Sequence, residues 1–165
     1  MPTYSTAARV LTVEDDPIVR ADLRLILEDA GFDVVPDARD GVEAVELARE
    51  HRPDLILIDL SLPNLDGVEA TRQILDEHDV PIVALTGYST DGSVERALEA
   101  GAVAHVLKPF QEGQLVETIT GALADHAVSE AERRRDLILV ETMVRDGHTE
   151  AEIVAALRER HGSAC

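Results

Sequence analysis

The stretch Asp54-Leu55-Ile56-Leu57-Ile58-Asp59 places four consecutive aliphatic residues between two aspartates. Pro53 precedes it, and a loop rich in turn-forming residues follows it. A short apolar run between turn signals is typical of a strand that is buried on both faces of a parallel sheet. In open α/β sheets, ligands bind outside the carboxyl ends of the strands. Asp59 therefore stands where a carboxylate can do chemistry, although a polar residue that only closes a strand would look the same.

Four further apolar segments alternate with helical patterns along the chain. The other predicted strands cover residues 10–13, 32–35, 81–85 and 103–107. The predicted helices cover residues 17–30, 41–50, 67–75 and about 92–100, and a fifth begins near Gln111. At the first helix, Asp16 as N-cap and Pro17 as first helical residue form a matched start. The alternation predicts an α/β fold with a doubly wound, five-stranded parallel sheet and right-handed crossovers.

The composition fits one domain with a small appendage. The chain has 165 residues, of which 45% are hydrophobic, which is enough to bury a core. No apolar run is long enough to span a bilayer, and the N-terminus lacks the pattern of a signal peptide. The only cysteine, Cys165, excludes an internal disulfide framework and a cysteine-based zinc site. These features predict a cytoplasmic protein.

The charge pattern is strongly one-sided. A net charge of -18 argues against general affinity for nucleic acids or anionic membranes. Among the 15 basic residues, Lys108 is the only lysine. A chain that otherwise uses arginine is consistent with the need for a compact point charge at this one position.

Polar residues follow four of the five predicted strands. Glu14 and Asp15 follow the first strand, Asp59 the third, Thr86 the fourth and Lys108 the fifth. The carboxyl ends of parallel strands share one edge of a sheet, so we expect these five side chains to converge. Residue types that fit together chemically at four separate strand ends are far more specific than any one of them alone.

The three carboxylates of this set predict a divalent cation. They would repel one another and raise each other's pKa values unless a cation removes the conflict. Hard oxygen ligands with open positions suit Mg²⁺. We expect Asp15 and Asp59 as direct ligands, Glu14 acting through water, and the backbone carbonyl of Ser61 completing the set.

The remaining residues predict phosphoryl chemistry. The cation and Lys108 would form an electropositive site beside Asp59, and Thr86 would add a hydroxyl donor. Such a site would accept the oxygens of a phosphoryl group, with Asp59 as the nucleophile.

The same residues resemble the receiver domain of two-component response regulators. Glu14-Asp15, Asp59, Thr86 and Lys108-Pro109-Phe110 match the motifs of that family in order and context, over about residues 8–125. The resemblance implies a CheY-like fold with strand order 2-1-3-4-5 and a cis peptide bond before Pro109. It also implies phosphoryl transfer to Asp59 from the phosphohistidine of a sensor histidine kinase or a phosphotransfer protein. We expect the face formed by the fourth helix, fifth strand and fifth helix to change its affinity for a partner.

One position departs from the family pattern. The family usually has Tyr or Phe three residues before the lysine, where this chain has His105. A planar histidine can follow the same motion with Thr86, but its ring nitrogens need partners when buried. The switch is therefore expected to be altered or pH-sensitive, and an exposed edge-strand position for His105 is the alternative. Tyr88 is a second candidate aromatic residue on that surface.

We interpret residues 8–124 as the receiver domain and residues 125–165 as a two-helix extension. Helical spacing continues to about Arg145, with a break expected near residues 127–129. A stop at residues 146–148 precedes a predicted capping box between Thr149 and Glu152. The predicted apolar side of the last helix consists of Ile153, Val154 and Leu157.

The extension weakly resembles the start of ANTAR output domains, which bind RNA. The resemblance rests on the spacing of Met143, Gly147, Thr149, Leu157 and Arg158. The family's Ala-Lys-Gly run, third helix and aromatic residues have no counterpart, and 133–135 is the only basic cluster in an acidic context. RNA recognition calls for a basic face and stacking groups, so a dimerising or core-covering helical hairpin is the favoured interpretation.

Two other function classes share this pattern. A Mg²⁺-dependent phosphatase would also use Asp59 as a covalent nucleophile, but such enzymes need a second acid where this chain has Ser61. A flavin-binding module would favour a Gly/Ser/Thr-rich phosphate loop over acidic strand ends. We expect a phosphoacceptor switch with at most slow self-hydrolysis, and not an enzyme.

Overall fold

The computed structural model describes residues 7–87 and 92–162, so Tyr88 lies outside the described residues. The chain divides into two compact units, Met1–Ala124 and Asp125–Cys165. No helix among the described residues is both long enough and apolar enough to cross a membrane.

The first unit alternates strands and helices along the chain. The elements are β1 (Arg9–Val13), α1 (Pro17–Asp29), β2 (Asp33–Val34), α2 (Gly41–His51), β3 (Leu55–Asp59), α3 (Gly67–Glu77), β4 (Ile82–Thr86), α4 (Ser93–Glu99) and β5 (Ala104–Leu107). Helix α5 (Glu112–Arg145) begins in this unit and continues into the second, which also contains α6 (Glu150–Gly162). The sheet is parallel with order β2-β1-β3-β4-β5, which confirms the predicted fold class and strand order.

Strand β3 lies at the centre of this sheet, between β1 and β4. All five of its residues are buried. Leu55 and Leu57 belong to the hydrophobic cluster that includes α1 and α5, whereas Ile56 and Ile58 belong to the cluster that includes α2 and α3. Alternate residues of a strand point to opposite faces, so an unbroken apolar run is what a strand covered by helices on both faces requires.

Two local signals place the loops around the predicted site. The Asp16 side chain accepts hydrogen bonds from the amides of Ile18 (2.8 Å) and Val19 (3.4 Å), which confirms it as the N-cap of α1. At the end of β3, a Cβ added to Gly67 would lie 2.2 Å from the Asp59 carbonyl oxygen and 2.7 Å from Leu60 Cα. Helix α3 can therefore begin directly against the end of β3 only because residue 67 has no side chain.

Gly67→Ala is expected to destabilise the first unit by about 2 kcal/mol, because the new methyl group meets backbone atoms that cannot step aside. The measurement is the urea midpoint of unfolding followed by circular dichroism. Gly113→Ala is the matched control: it lies in α5 with nothing within 4 Å of the added Cβ, and should stabilise by up to about 1 kcal/mol. Equal midpoints for the two variants would show that the close approach at Gly67 is absent in solution.

A histidine with a largely buried side chain lies at the other end of α3. The side chain of His78 is only 9% exposed, and within the described parts of the chain neither ring nitrogen has a hydrogen-bond partner. Burial lowers the pKa of His78 from its usual 6.5 and the charge of Arg52 lowers it further, while Glu77 acts in the opposite direction. The unfolded chain therefore takes up this proton at a higher pH than the folded chain. The neutral form of His78 therefore favours the folded state. Its contribution to the free energy of unfolding is fully present above about pH 6.5 and is lost as the pH falls below that value.

His78→Asn is accordingly expected to flatten the pH dependence of stability on the acid side. Unfolding free energies measured by urea titration between about pH 7.5 and about pH 5.5 should fall less for the variant than for the wild-type chain. A variant at position 78 with an unchanged slope would contradict the assignment.

The second unit contains the end of α5 and all of α6. Helix α5 has no break near residues 127–129, so that prediction is wrong. The segment Ala127-Val128-Ser129 lacks both Pro and Gly, and nothing in it prevents helix propagation. Helix α5 ends where Gly147 adopts a φ of 83° and the amides of Gly147 and His148 bond back to Val144 and Met143, a Schellman arrangement.

Helix α6 begins with the predicted capping box. The Thr149 amide donates to Glu152 Oε2 (2.7 Å), and the Glu152 amide donates to Thr149 Oγ1 (3.4 Å). Asp136 on α5 pairs with Arg160 and His161 on α6. Of the three residues on the predicted apolar side, Ile153 is buried and Leu157 is half-buried, whereas Val154 is exposed. The contact side follows positions 153, 156 and 157, and residue 154 lies about 100° around the helix from Ile153.

Candidate functional site

The carboxyl ends of β1, β3 and β5 bring four charged side chains together. One carboxylate oxygen from each of Glu14, Asp15 and Asp59 lies within 4.8 Å of the others. Lys108 Nζ donates to Asp59 Oδ2 at 2.8 Å and also to Glu14 Oε2. The sequence placed these four residues at three strand ends, and the fold brings all of them to one edge of the sheet.

Burial divides the three carboxylates into different environments. Glu14 is 1% exposed and Asp59 is 6% exposed, whereas Asp15 is open to solvent. Burial raises the pKa of Glu14 to about 7; the hydrogen bond from Lys108 opposes that rise, and the negative charge of Asp59 adds to it. Glu14 and Asp59 therefore share Lys108 as a partner in a largely buried environment, while Asp15 faces solvent.

Lys108 stays firmly protonated in this environment. Burial would lower the pKa of its amine, but hydrogen bonds to Asp59 and Glu14 and the charges of both raise it above the usual value. The Lys108 amide donates to the Thr86 carbonyl at 2.8 Å, which ties the lysine to the end of β4. The Lys108–Pro109 peptide bond is cis, as the resemblance implied.

The two oxygens of Asp59 have different partners. Oδ2 accepts from Lys108, and Oδ1 accepts from the amide of Ser61 at 2.9 Å. The Ser61 amide thus holds the loop after β3 against the carboxylate. The role of the Ser61 carbonyl as a metal ligand stays a prediction.

The two predicted switch residues lie on neighbouring strands. Thr86 is the last residue of β4, is 3% exposed and is paired in register with Leu107. His105 lies on the edge strand β5, opposite Ala84, and is exposed. The structure therefore places His105 in the exposed edge-strand position that the sequence left open as the alternative, and its part in a switch stays a prediction.

Sequence reasoning missed two residues beside the acidic pair, Arg20 and Asp37. Arg20 Nη1 donates to the Glu14 carbonyl at 2.8 Å, and its Nε pairs with Asp37 Oδ2 at 2.7 Å. No motif marks them, because Asp37 approaches α1 only through the bridge between its neighbour Ala38 and Val13 on β1. Arg20 itself lies one helical turn beyond the Asp16 cap, which is the only local signal.

The donor set at this edge fits a magnesium ion. All three side chains offer carboxylate oxygens, the hard ligands that Mg²⁺ prefers, and the exposure of Asp15 leaves space for the waters that it retains. Burial is the main cause of the raised pKa of Glu14, and the nearby charge of Asp59 adds to it. A cation bound here would offset that repulsion between the two carboxylates.

Comparisons with known proteins agree with this geometry. The family model described as a response regulator receiver domain matches residues 10–120. The transcriptional regulatory protein PdtaR of Mycobacterium tuberculosis is 43% identical over 116 residues, which cover 70% of this chain and 57% of that protein. This chain therefore spans little more than half of that relative. The polar-differentiation response regulator DivK of Brucella anthropi is 37% identical over 119 residues, which cover 70% of this chain and 96% of DivK.

A solved structure is similar over the same part of the chain. The receiver domain of the sensor histidine kinase PA1611 from Pseudomonas aeruginosa PAO1, with a magnesium ion coordinated in its active site cleft, is 35% identical to this chain. The two superpose with a TM-score of 0.67, over 72% of this chain and 98% of that domain.

Proposed function

Because this chain belongs to the response regulator receiver domain family of two-component signalling, we propose that Asp59 is its phosphoacceptor and that a histidine kinase supplies the phosphoryl group. One observation carries the proposal. The Asp59 carboxylate, at the end of the central strand, accepts a hydrogen bond from Lys108 and lies within 4.8 Å of Glu14 and Asp15 oxygens.

The reaction that fits this site is an in-line displacement at phosphorus. An Asp59 oxygen forms the new P–O bond while the P–N bond to the donor imidazole breaks, and the imidazole leaves with the bonding electron pair. Lys108, fixed by two hydrogen bonds, presents its ammonium group to the negative charge on the phosphoryl oxygens. The Thr86 hydroxyl, at the end of β4, would donate to one of them.

Glu14, Asp15, Asp59 and the Ser61 carbonyl are the groups that would hold Mg²⁺, which supplies positive charge for the phosphoryl oxygens when bound. Asp15, exposed at the rim, is the residue most accessible to an incoming cation. Glu14 lies beneath it with Lys108 as partner, so its charge is already shared.

The proposed role is that of a switch and not of an enzyme. Position 61, two residues after the nucleophile, holds serine, so no carboxylic acid stands there to protonate a leaving group. Slow self-hydrolysis of the acyl phosphate would limit the lifetime of the phosphorylated state. These features favour a phosphoacceptor over the Mg²⁺-dependent phosphatase.

The experiment that tests this function is phosphorylation of the full chain by acetyl phosphate in the presence and absence of Mg²⁺, followed by intact-mass spectrometry. We expect one phosphoryl group per chain, only when Mg²⁺ is present. Steady turnover of p-nitrophenyl phosphate would instead support the phosphatase alternative.

Output is proposed to pass through the face formed by α4, β5 and α5. Exposed apolar side chains on this face include Leu98, Val103 and Leu107, and His105 is exposed among them. A phosphoryl group adds negative charge at Asp59, and a shift of Thr86 toward it would change the packing beneath His105. The face would then change its affinity for a partner protein.

The extension, residues 125–165 beside a receiver at 8–124, is a second candidate output. Its exposed apolar residues on α5 include Val128, Leu137, Ile138 and Val144. Apolar side chains at this density on a helix favour association with a second copy. The ANTAR-like alternative, RNA binding, has less support, because Arg133-Arg134-Arg135 is flanked by Glu132 and Asp136.

Activation is expected to increase association. With Mg²⁺ and beryllofluoride, light scattering should show a mass approaching twice the 17.9 kDa of one chain. Ile138→Asp and Val103→Asp are matched tests, since the two side chains are 56% and 55% exposed. Loss of the dimer in only the first variant assigns association to the extension, and loss in only the second assigns it to the α4-β5-α5 face. A wild-type chain whose mass does not change would contradict the proposal.

A further inference from the structure

The loop that carries Glu14 and Asp15 accepts hydrogen bonds from a side chain of helix α1. Arg20 Nη1 donates to the carbonyl oxygen of Glu14 at 2.8 Å and reaches that of Asp15 at 3.4 Å. These two carbonyls belong to the peptide units that follow the two carboxylate residues. Their orientation therefore controls where the Asp15 side chain points.

The guanidinium group of Arg20 is itself held in place from outside the loop. Asp37 accepts from Arg20 Nε through Oδ2 (2.7 Å) and from Arg24 Nη2 through Oδ1 (2.8 Å). Burial would raise the pKa of Asp37, but the hydrogen bond from Arg24 and the charges of both arginines hold it below its usual range. Asp37 thus stays ionised, and its ion pair with Arg20 orients the guanidinium group toward the loop.

The charges in this cluster are balanced. A lone guanidinium this close to a cation site would oppose cation binding by simple repulsion. Asp37 offsets the charge of Arg20, and Glu28 pairs with Arg24 at 3.3 Å. Arg20 can therefore donate hydrogen bonds to the acidic loop without adding net positive charge beside it.

The opposite side of the loop is anchored by the backbone. The Glu14 amide donates to the Ala38 carbonyl at 3.1 Å, and the Ala38 amide donates to the Thr12 carbonyl at 2.9 Å. Ala38 directly follows Asp37. The β2–α2 loop therefore fixes the amide of Glu14 through Ala38 and its carbonyl through Asp37 and Arg20.

We propose that Arg20, aimed by Asp37, is a positioning residue that holds the Glu14–Asp15 backbone in the orientation needed for Mg²⁺ binding. This inference rests on the proposed function of the site. Magnesium demands near-ideal octahedral geometry, so a ligand residue that can rotate costs affinity. Partners that act through a ligand residue typically contribute about 10- to 100-fold in metal affinity.

The test compares four full-length proteins by NMR titration of backbone amides with MgCl₂, namely wild type, Arg20→Gln, Arg24→Gln and Asp37→Asn. Arg20→Gln is expected to weaken Mg²⁺ binding about 10-fold. Arg24→Gln removes an arginine from the same anion but touches neither carbonyl, so we expect less than about a twofold change. Asp37→Asn should weaken Mg²⁺ binding, because Arg20 loses the carboxylate that orients it and its positive charge is no longer compensated.

A kinetic readout separates positioning from general damage. In Arg20→Gln, the Mg²⁺ concentration that half-saturates phosphorylation by acetyl phosphate should rise by the same factor as the dissociation constant, while the rate at saturating Mg²⁺ stays near wild type. Arg20→Lys, which keeps the charge but lacks the planar fork, should recover only part of the affinity.

The outcomes distinguish this inference from the proposed function. A wild-type chain that neither binds Mg²⁺ nor becomes phosphorylated would remove the proposed function itself. A functional wild type with equal Mg²⁺ affinities for Arg20→Gln and Arg24→Gln would overturn the role of Arg20 alone. Should Arg20→Gln fail to fold by circular dichroism, Asp37→Asn decides, and wild-type affinity in that variant overturns the inference.

Discussion

Asp59→Asn is expected to abolish phosphorylation by acetyl phosphate in the presence of Mg²⁺. The amide that replaces the carboxylate is not a nucleophile for phosphorus, and no other carboxylate in the cluster occupies the position bonded to both Lys108 and the Ser61 amide. Intact-mass spectrometry after a fixed incubation should show no added phosphoryl group. The loss relative to wild type should exceed about 1,000-fold, the scale of removing a reacting group.

The same strand supplies the control for this prediction. Asp54 precedes β3 as Asp59 ends it, and its carboxylate accepts from the Arg9 amide at 2.8 Å, 45 residues away along the chain. Asp54→Asn makes the same chemical change at the opposite end of the strand and should leave phosphorylation at the wild-type level. A phosphoryl group retained in Asp59→Asn would mean that another residue is the acceptor.

Asp15→Asn is expected to weaken Mg²⁺ binding by more than about 100-fold, which is beyond the range for residues outside the coordination sphere. Asp15 is exposed, so its replacement leaves no buried group unpaired and should not disturb the fold. The measurements are the Mg²⁺ dissociation constant from NMR titration and the Mg²⁺ dependence of phosphorylation. Both should move together.

The neighbouring residue provides a control with an identical change of charge. Asp16 caps α1 through the Ile18 amide, and asparagine serves as an N-cap about as well as aspartate. Asp16→Asn should therefore retain Mg²⁺ affinity to within about threefold, the size of a lost long-range charge at moderate salt. If both variants weakened binding equally, net charge and not ligation by Asp15 would explain the effect.

The part of the fold that the sequence predicted is the part encoded by local patterns. The apolar run of β3, the Asp16-Pro17 helix start and the Thr149/Glu152 capping box each depend on residues a few positions apart. The meeting of Asp59 and Lys108 could also be predicted, because the carboxyl ends of all strands in a parallel sheet lie at one edge.

The features that the sequence did not predict depend on contacts between distant segments. The approach of Asp37 to Arg20 requires the bridge from Ala38 to Val13, which no pattern encodes. The burial of the His78 ring, whose nitrogens have no hydrogen-bond partner among the described residues, is equally invisible in the sequence, since a lone histidine after a helix has no periodicity. The possible break in α5 near residues 127–129 is absent, because that segment contains neither Pro nor Gly to stop helix propagation.

Because the sequence contains a single lysine, Lys108, the site can be modified selectively with an amine reagent. A reagent for primary amines has one side-chain target, Lys108, besides the terminal amine. The Lys108 amine donates to Glu14 and Asp59 and has a raised pKa. It is therefore a poor nucleophile while both carboxylates are in place. The rate of reductive methylation at Lys108 would therefore report how often its contacts with Glu14 and Asp59 open. A peptide map would identify Lys108 as the modified side chain.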